Sequence, residues 1–507
     1  MVLVIVTSFT IALVVLAYLF YKKFTRTYSY WKIRGVKGPT PQFPFGNFKR
    51  FLTKKVSFTT LIKEFYNEFP EENVIGIYQG LTPVLIVRDP NIMKRIFVKD
   101  FFYFQDRGFE LNDEKLKRSN LFTMNGENWR VLRQNLTPIF TSSKLKQFVQ
   151  ILNSSTKSFM EYLDELIHEE VTHEARGLFR KYSGKSLLAV HFGYHVDAWS
   201  DEINTLIEKC DIISKRMGVF RFSLIMLRNF GITFLDKFTR IVPEDSLNYF
   251  ANIVNKITSE REGKPKRKDD LMDLLLILKE KEKNASGNNN KVIEFTNDIL
   301  TAQALVFALG TLEAVSTNMA FIFYKLALNP DVQNHCHEEI KSIMEKYNEE
   351  LTYESLEECK YLSMTFDEAL RTAPGGMTFR QCLKDYEIPE LNLMIEKGTL
   401  IYIHFSSLQN DPKYYENPSK FDPMRFAPEN KNKIANFTYL PFGEGPRHCI
   451  AKRYAKLHLM VGLAHFIYRY RFTPSEKTPQ VLQLDPRYLG PVSVDGLWIN
   501  IERRINA

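Results

Sequence analysis

The sequence predicts a mainly α-helical protein with small β-sheets, preceded by one apolar, membrane-spanning helix. Three observations carry that expectation. From Glu127 onward apolar residues recur at helical spacing over 144–167, 202–217, 246–259 and 269–281, and over a longer run from 296 to about 328. Residues 74–78 and 84–87 are rich in β-branched and aromatic side chains, flank the turn Gly80-Leu81-Thr82-Pro83, and read as a hairpin. Residues 1–21 carry no charged side chain at all.

Roughly 20 apolar residues span a bilayer as a helix, so residues 1–21 are long enough to be a transmembrane anchor. No basic stretch precedes them and no clear small-residue cleavage site follows, which disfavours a removable signal peptide. Lys22, Lys23, Arg26 and Lys32 come next, so the positive-inside rule puts the rest of the chain in the cytosol. Residues 22–46 form a basic, proline-rich hinge: Gly35, Gly38, Pro39, Pro41, Pro44 and Gly46 make it stiff. Residues 47–507 are then one large body, beginning with a helix over 58–69 and the hairpin. The polar tract 284–290 is expected to be a surface loop. Thr296 is a plausible N-cap for the long helix, with Asp298 in its first turn. That helix is apolar nearly all round from Ala302 to Leu312, the pattern of an element buried through the middle of a body.

The 40 Phe and 24 Tyr exceed what packing alone requires and suit an apolar cavity. A formal charge of +9 suggests an anionic partner, but the basic residues are dispersed and no nucleic-acid-binding motif occurs, which favours a membrane surface or an acidic protein over nucleic acid. Five cysteines, with no C-x-x-C pair, argue for a reducing compartment and against a multi-cysteine metal site.

Chemistry concentrates at Phe442-Gly443-Glu444-Gly445-Pro446-Arg447-His448-Cys449-Ile450-Ala451. Two glycines and a proline hold a loop, and helical spacing resumes at Lys452, so Cys449 sits where a constrained loop enters a helix. Unpaired N–H groups and the positive end of the helix dipole favour a thiolate there, making Cys449 a candidate metal ligand. Trp129 and Arg133, four apart, share one helix face, and Glu368 and Arg371 are three apart on another.

The cysteine loop carries every fixed position of Phe-x-x-Gly-x-Arg-x-Cys-x-(Gly or Ala), the haem signature of the cytochrome P-450 superfamily, which this chain therefore resembles. The order Trp129-x-x-x-Arg133, Glu368-x-x-Arg371, Arg380, Phe421-Asp422-Pro423-Met424-Arg425-Phe426 and then the cysteine loop is also the family's. Segment 136–145 and the proline-rich hinge are similar to those of insect microsomal members. The resemblance implies a cytochrome P-450 fold holding heme b (iron protoporphyrin IX) with Cys449 as axial thiolate, which favours O–O cleavage. It implies that Trp129, Arg133, Arg380, Phe442 and Arg447 bind the haem. It further implies that Glu368, Arg371 and Arg425 form a buried network behind it, Met424 replacing an acidic residue.

One departure is in the long helix, where Gly310-Thr311-Leu312-Glu313-Ala314 stands for the family's Ala-Gly-x-(Asp or Glu)-Thr. Ala314 offers no hydroxyl for proton delivery, so Glu313 and Thr311 are the candidate catalytic residues. The family's pocket maps onto 101–125, with Phe101, Phe102, Tyr103, Phe104, Phe109 and Phe122, and onto 304–316, 375–379 and 486–492. Gly375-Gly376 replaces a proline-rich turn and is expected to loosen the wall, and Phe220, Phe222, Phe230, Phe234 and Phe238 are expected to dip into the membrane.

The implied activity is insertion of one oxygen atom from O2 into a lipophilic small molecule at the endoplasmic-reticulum membrane. Electrons from NADPH would come through cytochrome P-450 reductase, with cytochrome b5 as a second donor, docking on the basic surface of Lys452, Arg453 and Lys456. The alternatives are an O2-independent haem-thiolate isomerase or dehydratase and a non-catalytic lipophile binder, both raised by Ala314. His168 and His173 are five apart, one too many for a zinc-protease helix face, and the His335-Cys336-His337 and 264–268 basic runs read as solvated surface.

Overall fold

In the computed structural model, which describes residues 2–108, 119–229, 232–234, 239–265, 270–284 and 293–504, the chain is a helical body with three small sheets. Its main elements, in order, are α1 (Val2–Thr25), α2 (Phe58–Glu68), β1 (Val74–Gln79), β2 (Thr82–Val87), α3 (Gly126–Leu136), α4 (Ser142–Glu169), β3 (Thr172–Glu174), α5 (Ala175–Phe192), α6 (Asp201–Lys215) and α7 (Arg221–Asn229). There follow α8 (Glu244–Glu260), α9 (Leu271–Asn284), α10 (Asn297–Leu328), α11 (Pro330–Lys346), α12 (Lys360–Thr372), β4 (Met377–Gln381), β5 (Tyr386–Ile388), β6 (Leu393–Ile395), β7 (Leu400–His404), α13 (Lys452–Arg469), β8 (Tyr470–Pro474) and β9 (Trp498–Arg503). Phe109, Phe230, Phe238, residues 285–290 of the polar tract and residues 266–268 of the basic run lie outside the described residues.

The hairpin is antiparallel with Val74 opposite Val87; Thr82 and Pro83, expected in the turn, are paired in β2, which leaves Gly80 and Leu81 as the connection. β7 adds parallel to β2, and β4 closes the sheet antiparallel to β7, which gives the order β1-β2-β7-β4. A second sheet, β3-β9-β8, ties the C-terminus to the N-terminal end of α5. The hinge is held against β1: Trp31 is buried with its indole N–H donating to the Ile77 carbonyl, and a Cβ at Gly38 would lie 1.8 Å from the Gly76 carbonyl oxygen.

α10 is the axis. The Thr296 hydroxyl accepts the Ile299 N–H at 3.4 Å, capping the first turn, and most of the helix is buried inside the body. It is the one helix, among the residues searched, long and apolar enough to cross a membrane, but two-thirds of its most apolar stretch is buried within the protein, so it is a core helix. Truncating fully buried Leu312 to alanine there would cost about 2–5 kcal/mol. By contrast, the described apolar side chains of α1 face outward, Phe9 being 68% exposed.

The helical segments expected from periodicity are all present, but α5 was not among them. Glu174 caps it by accepting the Arg176 and Gly177 N–H groups, and Gly193, at φ 68°, ends it in the left-handed region. Between these, Ser183, Lys185, Ser186 and His191 are buried together with its apolar residues, so the polar–apolar alternation that would reveal a helix is erased. α5 packs along α10.

Candidate functional site

The cysteine loop folds back on itself before α13. Gly443 and Gly445 take φ of 70° and 73°, the His448 N–H donates to the Gly445 carbonyl, and the Cys449 N–H donates to the Phe442 carbonyl at 2.8 Å. A Cβ at Gly445 would fall 1.9 Å from the Phe97 carbonyl oxygen, so only glycine lets the loop lie this close to the body. Phe442 is half-buried with its carbonyl on Cys449, and Lys452 is 5.9 Å above its ring.

Cys449 is half-buried, whereas Cys210, Cys336, Cys359 and Cys382 are buried, and burial pushes the Cys336 thiol up to about 12. Among the described residues no three His, Cys, Asp or Glu side chains converge on a metal position. A metal at Cys449 must therefore bring its other ligands with it, as a haem does. Burial also raises the Cys449 thiol, against the opposing pull of the Ala451 N–H and then of Arg133, Arg107 and Lys452. Helix entry accounts for the Ala451 N–H but not for the two arginines, nor for burial outweighing all of them; a bound cation would have to complete the deprotonation.

Around this loop gather four guanidinium groups. Arg447 is 2% exposed, stacks 4.1 Å over the Trp129 ring and donates to the Met124 carbonyl at 2.7 Å. Arg380, from β4, is as deeply buried and donates to the Thr378 hydroxyl and the Phe379 carbonyl. Arg133 donates to the His448 carbonyl at 2.8 Å. Arg107, which the sequence did not single out, reaches the Thr378 hydroxyl and the Arg447 carbonyl, both at 3.2 Å. It is placed there because the Gln381 N–H at the β4 edge donates to the Asp106 carbonyl.

The cluster is short of negative charge. Asp106, 3.6 Å from Arg447, is the carboxylate paired with it among the described residues, and the Nε atoms of Arg107, Arg380 and Arg447 are buried without a partner. Burial, then Arg107, pushes Arg447 down to about 8. Burial pushes Arg107 down to about 10, and burial with Arg107 and Arg447 holds Arg380 well below the usual arginine range. Such a group of desolvated cations, three of them with an idle Nε donor, is complementary to a ligand bearing carboxylates. The donor set thus fits a haem, with Cys449 able to take the iron and Arg107, Arg133, Arg380 and Arg447 able to take the propionates.

The cytochrome P450 family model matches residues 36–491. The chain belongs to the cytochrome P450 family. It is 37% identical over 493 residues to cytochrome P450 6B2 of Helicoverpa armigera, covering 96% of each chain. It is 34% identical to cytochrome P450 6B1 of Papilio polyxenes, covering 97% of this chain and 98% of that one. To cytochrome P450 9e2 of Blattella germanica it is 31% identical, covering 91% and 92%. This cytochrome P450 is accordingly a haem-thiolate monooxygenase, an oxidoreductase whose cofactor is heme b bound through a cysteine thiolate.

In this cytochrome P450 the central helix presents an open stripe. Gly310 and Ala314, one turn apart, are exposed in an otherwise buried stretch, and a Cβ on Gly310 would meet nothing within 4 Å. Ile450, next to Cys449, packs on the same apolar cluster as Ala304, Phe307 and Ala308 of α10. Leu121 is tied to α10 by its N–H, donated to Gln303 Oε1 at 3.1 Å.

Glu313 and Thr311 are not brought together; they flank the stripe on opposite sides. Glu313 is clamped by Arg176 at 2.6 Å and by Arg180, both on α5, and Arg180 passes the network to Asp211 on α6. Thr311 is buried with its hydroxyl 3.5 Å from His191 Nε2. Arg176 and Arg180 escaped sequence reading, although their i,i+4 spacing is the signal that had marked Trp129 and Arg133. His191 offered no such signal.

Several pocket expectations need correction. Phe104 is core, packed against Tyr386, while Phe102 is 70% exposed, and the Phe101 ring lies tilted 5.9 Å from that of Trp129. Phe222 is buried among Phe48, Phe51 and Phe58 rather than offered to a membrane, whereas Phe234 is 64% exposed. The Gly375-Gly376 turn is tight, not loose: a Cβ on Gly375 would fall 2.4 Å from Pro491 Cγ. Contiguous aromatics or glycines say nothing of which side meets the body.

Proposed function

We propose that this cytochrome P450 inserts one oxygen atom of O2 into a lipophilic small molecule, using NADPH electrons delivered by cytochrome P450 reductase, with cytochrome b5 as a second donor. The observation that carries the reading is the half-buried Cys449 beside an undercompensated cluster of buried arginines. In it, Cys449 would ligate the haem iron and Arg107, Arg133, Arg380 and Arg447 would hold the propionates, while Trp129 and Phe442 brace Arg447 and the cysteine loop. When bound, heme b supplies the centre at which O2 is reduced, one oxygen atom going to substrate and the other to water.

The chain's own contribution is to bind, orient and keep dry. The Arg133–His448 bond fixes the loop that carries Cys449, so thiolate and propionate sites are set by one piece of backbone. Gly310 and Ala314 leave room on α10 for a substrate, with the apolar cluster of Phe307, Leu121 and Met124 excluding water from it. Glu313 is clamped between Arg176 and Arg180, and Thr311 holds a hydroxyl on the opposite flank.

Residues 1–21 anchor the protein in the endoplasmic-reticulum membrane, 22–46 form the hinge and 47–507 the catalytic domain on the cytosolic face; the outward apolar side chains of α1 and the cations after it support this. Lys452 and Arg453 are exposed beside the cysteine loop and suit an acidic electron donor. The test is product per NADPH, with peroxide release, for enzyme reconstituted with reductase and a panel of lipophiles, beside Ala314→Thr. Oxygenated product from O2 with little peroxide supports the monooxygenase; product without O2 or NADPH points to an isomerase or dehydratase. Peroxide alone, with product restored by Ala314→Thr, marks a poorly coupled enzyme or a lipophile binder.

A further inference from the structure

Position 314 lacks a hydroxyl, but Thr311 is three residues away and adjacent to it on the helix surface. The Thr311 hydroxyl is turned to His191 Nε2, and His191, at the end of α5, is 5% exposed with Nδ1 unpartnered. From His191 a run of polar rings continues inward. Its ring lies 5.9 Å from that of Tyr454, Tyr454 lies 5.7 Å from His458, and His458 lies 5.4 Å from Tyr182. The Tyr182 hydroxyl then meets Thr156 Oγ1 at 3.2 Å.

Every member of this seam between α5, α10 and α13 is buried, His458 and Tyr182 completely. Yet the Tyr454 hydroxyl and both His458 nitrogens, like His191 Nδ1, have no partner in the protein. A dry aromatic core gains nothing from such atoms, since each buried donor or acceptor left unmade is unfavourable, and phenylalanine would pack as well. Four of them along three consecutive rings match the polar lining that buried water needs. Burial pushes His191 and His458 down to about 3, so each ring is neutral and can donate at one nitrogen while accepting at the other.

We propose that this seam binds a short file of ordered water, and that His191, joined to the file through Nδ1, orients the Thr311 hydroxyl as the proton-donating group that Ala314 cannot supply. The role of Thr311 rests on the monooxygenase reading above; the water site does not. Thr311 Oγ gives its proton to a water molecule at the open stripe and takes one from His191 Nε2, while His191 Nδ1 takes one from the file. The ring is left neutral as the other tautomer, and the file, left one proton short, takes one from bulk water, so that one proton passes from solvent to the stripe and no charge stays in the core. His191 is a positioning residue, acting through Thr311.

Three measurements on the haem-loaded, full-length protein test this. A high-resolution crystal structure is expected to show water on His191 Nδ1 and on His458. The melting temperature of His458→Phe is expected to fall, because the ring's water-mediated bonds are lost; a rise, with no water in the map, shows a dry seam and overturns the site. With reductase, Thr311→Val and His191→Phe are expected to raise peroxide per NADPH several-fold while Thr311→Ser restores coupling, the carbon monoxide difference spectrum staying that of a thiolate-ligated haem throughout. Unchanged coupling in both variants of a wild type that makes product overturns the role of His191. If the wild type makes no NADPH-dependent product, the monooxygenase reading fails instead, and with it the role of His191, while the water and melting results still decide the site.

Discussion

Arg371 and the Arg447 cluster are both buried cations in one fold, and they are built oppositely. Arg371 is closed: its fork meets both oxygens of Glu368 at 2.7 and 2.8 Å, and further N–H groups reach the carbonyls of Gln409 and Pro418 at 2.8 Å. Arg425 approaches the same carboxylate at 3.6 Å, and the Asp422 N–H donates to it. Arg107, Arg380 and Arg447 instead face one another, with idle Nε atoms and Asp106 as the paired carboxylate. A buried charge whose partners are all supplied is scaffold. A surplus of one sign with idle donors is half of an ion pair whose other half is a ligand.

Breaking the closed network should have the largest effect. Arg371→Ala leaves buried Glu368 without its bidentate partner, with Arg425 at 3.6 Å as the remaining cation, an expected loss of about 3–5 kcal/mol, read as absence of folded, haem-loaded protein in a carbon monoxide difference spectrum. Histidines sharpen the contrast, because burial keeps them neutral near pH 7. The folded value of His458 is near 3 through burial and then nearby His191, below its ordinary 6.5, so its stabilising contribution is complete above pH 6.5 and is lost as pH falls toward 3. That amounts to about 2 kcal/mol near pH 5, and His458→Phe should flatten the decline of melting temperature between neutral pH and pH 5.

Opening the ligand cluster should act with opposite signs on the two forms. Arg447→Met is expected to stabilise the haem-free protein by about 1 kcal/mol while weakening haem retention, measured by haem transfer to an acceptor protein. Arg107→Gln should do the same more weakly. Smallest is Met424→Asp, within about 0.5 kcal/mol by thermal melting, because Met424 is 43% exposed and outside the Glu368 network.

The Met424 case shows how far local sequence reaches. The motif order placed Glu368, Arg371 and Arg425 in one network, and the substitution beside Arg425 did not disturb it, since that side chain points out. The hairpin, the N-cap of α10 and the loop before Cys449 were legible for the same reason: a turn, a cap and a glycine act within a few residues of themselves. What was missed acts across the chain. Arg180 meets Glu313 over 133 positions and Arg107 meets the Arg447 carbonyl over 340, and no window of sequence holds both partners. α5 was missed because its buried serines, lysine and histidine mimic an exposed face.

The sequence by itself determined the helical class, the apolar first helix, the central helix and the constrained loop that carries Cys449. Each follows from side-chain period, from proline and glycine stereochemistry or from a contiguous motif. Only the tertiary structure decided which cations lack partners, that Glu313 is held by Arg176 and Arg180 while Thr311 turns to His191, and that Phe104 and Phe222 are core. Burial and charge balance are sums over everything packed around a group, and such sums exist only once distant segments have met.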